Sequence, residues 1–126
     1  MNDTFGQFVR RKRAEKEYSL RGFAAKLNLS PVYMSNIETD RRPAPTQETL
    51  DKMIALLLLN KDETATLYDL AAKSRENSVS SDLPEYIMEK DIVRAALRTA
   101  KEVDATDAEW QEFIDRITKR GKGNGG

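Results

Sequence analysis

The residues whose types and spacing could do chemistry lie between Arg21 and Arg42. Ser30, Pro31, Val32, Tyr33, Ser35 and Asn36 are small, polar or aromatic, and they fall where a helix that turns Met34 and Ile37 inward would face outward. Such a face fits the major groove of duplex DNA. The Asn36 carboxamide matches adenine with a donor and an acceptor, Ser30 can meet a base edge, and Val32 or Tyr33 suits a thymine methyl. Arg21, Lys26, Thr39, Arg41 and Arg42 flank that face. Their chemistry suits phosphate contacts, which hold a protein in register without reading sequence. An ordinary basic loop would also contain Arg41 and Arg42, and a solvated helix surface accounts for Arg10 and Arg11 as well as phosphate contact does.

Two short helical patterns must position that face. The first covers about 19–27, with Phe23, Ala24 and Leu27 on one side; the second covers about 31–39. Asn28-Leu29-Ser30 joins them. Asn tolerates a left-handed backbone, so Asn28 can close the first helix and reverse the chain. Ser30 can cap the second helix, and Pro31 fits its first position, where no N–H is needed. Ala24 leaves room for the second helix, and Leu29 can plug the gap between the two. Phe23, Leu27, Leu29, Met34 and Ile37 are the apolar set that a helix-turn-helix must bury. Many all-α proteins carry two such helices without touching DNA; the whole set in register favours DNA.

These residues resemble the Xre-type helix-turn-helix of phage repressors and their bacterial relatives. The resemblance rests on Ser19, Phe23-Ala24, Leu27-Asn28-Leu29-Ser30-Pro31, Tyr33-Met34-Ser35 and Ile37-Glu38, followed by Arg41, Pro45 and Leu50, and it covers roughly residues 4–72. It implies a five-helix repressor-like domain that binds double-stranded DNA through the second motif helix. It also implies an ion pair between Arg13 and Glu38, tying the first helix to the end of the recognition helix. The chain departs from the family at three places. Asn28 replaces the usual glycine, Leu20 stands where a phosphate- and base-contacting glutamine is common, and Gly22 interrupts the first motif helix at a cost of about 1 kcal/mol against alanine.

Charge agrees when taken by segment. Residues 1–60 hold ten Lys/Arg against seven Asp/Glu, a net +3, and residues 61–126 hold eleven against fourteen, a net −3, although the whole chain is neutral. The positive excess coincides with the motif. The absence of His and Cys removes the commonest general base, thiolate nucleophiles, disulfides and the usual metal ligands. No Gly-rich phosphate loop or convincing carboxylate pair remains, so the chain reads as a non-enzyme with no cofactor and no metal. No apolar run is long enough to span a bilayer and no secretory pattern opens the chain, which predicts a cytoplasmic protein.

Taken in order, the spacing predicts a first helix over 4–17, capped by Thr4, with Phe5, Phe8 and Val9 inward. After the motif comes a rigid, positive loop over 39–45. Thr46 then caps a helix to about Leu59, buried by Leu50, Met53, Ile54 and Leu57 and ended by Asn60; Asp62 caps a fifth helix to about Lys73. The domain is placed at 1–73, with a Ser-rich linker over 74–83. Beyond it, 84–90 is a short helix or a turn, Asp91 caps a helix to about Val103, and Thr106 with Glu109 has capping-box spacing. Trp110, Phe113, Ile114 and Ile117 follow at i, i+3, i+4 and i+7, and 121–126 is a loose tail. The segment 84–120 is too small to be a secure fold alone. Its stripes, Val93 and Leu97 on one helix and Trp110, Phe113, Ile114 and Ile117 on the next, predict dimerisation; packing within the chain is the alternative. The functional expectation is a dimeric repressor reading a palindromic operator. The competing one is an antitoxin-like or adaptor protein whose C-terminal helices bind a protein partner.

Overall fold

Every helix start in the first five helices is set by a side chain the sequence places there. The computed structural model describes the backbone of residues 3–75 and 78–125, and side-chain surroundings through Gly121. Residues 1, 2, 76, 77 and 126, which the sequence assigns to domain, linker and tail, lie outside the described residues. The chain is all-helical among the described residues: α1 Phe5–Glu15, α2 Leu20–Lys26, α3 Pro31–Glu38, α4 Gln47–Leu57, α5 Lys61–Lys73, α6 Pro84–Glu89, α7 Asp91–Val103 and α8 Asp107–Gly125. It divides into two compact units, Met1–Glu85 and Tyr86–Gly126. None of the helices described is long and apolar enough to cross a membrane.

In the first unit, Thr4, Ser19, Ser30, Thr46 and Asn60 cap α1 to α5, each accepting from a backbone N–H inside the first turn. Each cap satisfies a donor that would otherwise be orphaned, at about 1 kcal/mol apiece. The helices also end alike. Glu17, Asn28, Asp40 and Leu58 have left-handed φ values of 60°, 62°, 62° and 52°. In each case the residue after it donates back to a carbonyl in the last helical turn, as Leu29 does to Ala24 at 2.9 Å and Arg41 to Asn36 at 2.9 Å. Asn28 thus reverses the chain between the two motif helices.

The core is built from Phe5, Phe8 and Val9 of α1, Phe23, Ala24 and Leu27 around α2, Met34 and Ile37 of α3, Leu50, Met53 and Leu57 of α4, and Leu67 and Ala71 of α5. α3 packs on both α1 and α2, and α1 also packs on α5. Met34 and Ile37 are fully buried and pin α3 to this core, worth about 1.5–3 kcal/mol each. Lys12 of α1 pairs with Glu63 of α5. Glu63 also accepts from the Asn60 N–H. That bond first, and the Lys12 ammonium second, hold its carboxyl below the usual glutamate range.

The structure corrects several expected boundaries. Asn60 begins α5 rather than ending α4, because Leu58 takes the left-handed position two residues earlier. Asp62 lies in the first turn of α5, near the positive end of the helix dipole. Asp91 is the first residue of α7, not its cap, and pairs with Arg94 in the same turn. α8 continues to Gly125, past the expected start of the tail at Gly121. An established helix gains one bond per residue added, so glycine there carries a penalty without forcing a stop. The segment expected as a linker is fastened to the first unit. The Ala44 N–H donates to the Ser74 hydroxyl at 2.9 Å, Arg75 donates to the Ala44 carbonyl at 3.0 Å and to that of Pro45, and Ser80 is buried and bonded to Asp69.

In the second unit, α6 and α7 bury none of their side chains. The capping box of α8 is formed: Thr106 Oγ1 accepts from the Glu109 N–H at 3.2 Å and Glu109 Oε1 accepts from the Thr106 N–H at 3.0 Å.

Candidate nucleic-acid interface

Burial of Met34 and Ile37 decides what α3 presents. Val32, 72% exposed, and Tyr33 project outward, while Pro31, Ser35 and Asn36 are half-buried on the flanks. Ser30, Val32, Tyr33, Asn36 and Arg42 line one shallow open cleft. The structure therefore brings these five sequence-predicted residues together. Ser30 Oγ accepts from the Tyr33 N–H at 3.1 Å, so its lone pair serves the cap while its proton can still donate outward. Among the described residues the Asn36 carboxamide has no hydrogen-bond partner. A half-buried, unpaired amide on the outward side of a recognition-type helix is the group that adenine would satisfy.

The flanking cations are also free. Arg21 and Lys26 of α2, and Arg41 and Arg42 after α3, are exposed and make no ion pair among the described residues. Lys26 Nζ lies 6.0 Å from the centre of the Tyr18 ring. The backbone N–H groups of Arg41 and Arg42 both donate to the Asn36 carbonyl, at 2.9 and 3.2 Å, which fixes where the two guanidiniums start from. Thr39 is placed differently from the arginines it was grouped with. Its hydroxyl donates to the Ser35 carbonyl at 2.9 Å and helps close α3, so its proton is used inside the helix.

Arg13 and Glu38 set the base of α3. Arg13 Nε and Nη2 donate to the two Glu38 carboxylate oxygens at 2.7 and 2.9 Å, and Nη1 donates to the Tyr18 carbonyl at 2.9 Å. The Glu38 side chain is 3% exposed and that of Arg13 14%. The Glu38 hydrogen bonds hold the guanidinium above its ordinary range, against the opposing effect of burial.

Two features escape a reading of sequence. Asp40 caps α1 from across the fold, accepting from the Thr4 hydroxyl at 2.5 Å and from the Gly6 N–H at 3.0 Å. Gly6 lets α1 touch the end of α3: a Cβ at this position would lie 2.5 Å from the carbonyl oxygens of both Ile37 and Glu38. Neither has a local signal, because each partner lies more than thirty residues away. Gly22 has a signal of its own, since a Cβ there would meet the capping Ser19 hydroxyl at 2.9 Å.

Of the residues expected to dimerise, Leu97, Trp110, Phe113, Ile114 and Ile117 are exposed and Val93 is half-buried. Trp110 meets Phe113 edge-on at 6.1 Å, and both line an open apolar groove with Val93 and Leu97.

Residues 4–67, just over half of the chain, match the model of a helix-turn-helix domain. Among solved structures, a chain from a SinR protein/SinI protein complex is 24% identical, covering 94% of this chain and 99% of that chain at a TM-score of 0.46. No curated protein sequence matches.

Proposed function

The chain belongs to the helix-turn-helix domain family, and on that premise we propose that it is a sequence-specific DNA-binding transcriptional regulator of the Xre type. It would work in the cytoplasm as a dimeric repressor, reading a palindromic operator with α3. One observation carries the reading: α3 exposes Val32, Tyr33 and an unpaired Asn36 amide, with four unpartnered cations around them. Asn36, Tyr33, Val32 and Ser30 read base edges, and Arg21, Lys26, Arg41 and Arg42 grip phosphates. Pro31 and Ser35 shape the surface that enters the groove. Occupying a promoter would repress by exclusion, with no catalytic step and no cofactor.

The test is DNA binding by mobility shift, on the chain's own upstream region and on random duplex, at two salt concentrations. Asn36→Ala is expected to weaken operator binding by about 1–3 kcal/mol and leave random DNA unchanged. Arg41→Ala should weaken both alike and lower the salt slope by about 1. Equal losses on the two DNAs for Asn36→Ala would remove that residue from base reading.

Dimerisation is supported by the second unit. A segment of about 40 residues rarely folds on its own core, and this one leaves Leu97, Phe113, Ile114 and Ile117 between 41% and 53% exposed, with Ile92 and Val103 barer still. Covering such faces would bury area of the order of the ~800 Å² per partner found in standard interfaces. A two-fold dimer also sets two α3 helices one DNA turn apart. Sedimentation equilibrium is expected to show a dimer that Phe113→Asp with Ile117→Asp converts to monomer. A monomeric wild type would favour the second reading, in which a helix of another protein covers the groove as in an antitoxin or adaptor.

A further inference from the structure

The first unit carries a second basic cleft, which shares Arg42 with the face of α3 and adds a cation from another helix. Arg41, Arg42 and Lys73 line an open cleft of about 490 Å³ together with Asp3, Thr4 and Asp40. On charge alone two acids would nearly neutralise three cations, but one of the acids already has a cationic partner outside this set. Asp3 pairs with Arg11 at 2.6 Å, while Asp40 keeps its charge but turns its oxygens to the neutral Thr4 hydroxyl and Gly6 N–H, so the three cations outweigh the one acid without a cationic partner. Among the described residues Arg41, Arg42 and Lys73 make no ion pair, and all three are exposed. Three like charges around one concavity repel each other, and an anion entering it turns each repulsion into attraction. Lys73 ends α5, so it is held by a different helix from the arginines. Its backbone is therefore held by the fold rather than by the loop.

We propose that this cleft binds a phosphate group of the DNA backbone, outside those met by α3, and that Lys73 is a further phosphate-contacting residue. The proposal rests on the DNA-binding reading above. The loop that carries Arg41 and Arg42 leaves α3 directly, and Arg42 lines both this cleft and the one on the face of α3, so the two are neighbours. Each phosphate neutralised releases counterions and steepens the dependence of affinity on salt. Lys73 thereby lengthens the footprint without adding sequence information.

The experiment is fluorescence anisotropy of the full chain on a selected operator duplex and a random duplex, from 50 to 200 mM salt, roughly the span over which counterion release is resolved. Lys73→Gln is expected to lower the slope of log K against log salt by about 1 and to cost about threefold at the lower salt, equally on both duplexes. Lys73→Arg should restore both. An unchanged slope in Lys73→Gln, with Arg41→Ala still lowering it, overturns the cleft assignment and leaves the DNA-binding reading standing. No salt-dependent binding by wild type overturns both. A loss confined to the operator also overturns the assignment, because a backbone contact cannot discriminate. Thermal melting in inorganic phosphate at fixed ionic strength separates the sources of phosphate. A rise in Tm seen in wild type and absent in Lys73→Gln would make the cleft a free-phosphate site and overturn the backbone one.

Discussion

Arg13→Met is expected to cost about 3–5 kcal/mol of folding free energy, the range found when one partner of a buried ion pair is removed. The guanidinium meets both oxygens of a carboxylate that is almost wholly out of water, and its third donor satisfies the Tyr18 carbonyl. Methionine fills much of the volume but none of the donors. Glu38 would be left buried without a partner, and the Tyr18 carbonyl would lose its bond as well. Against a total stability of about 5–15 kcal/mol for a domain of this kind, that is enough to populate the unfolded state. The double variant Arg13→Met, Glu38→Leu should recover most of the loss, because removing both charges removes the desolvation cost along with the attraction. Urea titration followed by far-ultraviolet circular dichroism measures both variants. A single-variant cost below about 1 kcal/mol would mean that water reaches Glu38 freely, and the tie would lose its energetic meaning.

Gly6→Ala is the second large effect, expected at about 3 kcal/mol. Elsewhere in a helix this exchange stabilises by up to about 1 kcal/mol. Here the new methyl would stand 2.5 Å from two carbonyl oxygens and 2.7 Å from a carbonyl carbon of the α3 end. These are backbone atoms with no rotamer to change, so α1 and the end of α3 must move apart. The movement would strain the Asp40 bonds to Thr4 and Gly6 and tilt the helix that carries Val32, Tyr33 and Asn36. DNA affinity should therefore fall by more than the folded fraction does. Gly121→Ala is the control, since nothing lies within 4 Å of its would-be Cβ. Thermal melts of the two variants side by side make the comparison, and equal Tm values would remove the close approach as a constraint.

How much of this was legible in the sequence depends on the range of the interaction concerned. Thr4, Ser30, Thr46 and Thr106 were readable as caps because each bonds three residues ahead. Asn28 was readable because turn chemistry is local. The outward face of α3 followed from the inward one, since Met34 and Ile37 fix the rotation of the helix. Arg13 and Glu38 came from family resemblance; spacing alone does not single them out. The Asp40 cap, the Gly6 contact, the latch of Ser74 and Arg75 onto the loop at Ala44, and the company Lys73 keeps are all tertiary. They join segments that no local rule connects. Leu58 was missed for a different reason: leucine rarely takes a left-handed backbone, and Asn60 two residues later offered a more familiar stop.

Trp110 is the single tryptophan of the chain and lies in the second unit, on the groove, beside Tyr86, while Tyr18, Tyr33 and Tyr68 lie in the first. The second unit thus carries an optical label that the first lacks. Excitation at the red edge of the indole band addresses only the apolar groove, whose covering by any helix would move the emission to the blue and shield it from quenchers. Covering of the groove can therefore be watched with nothing attached to the protein.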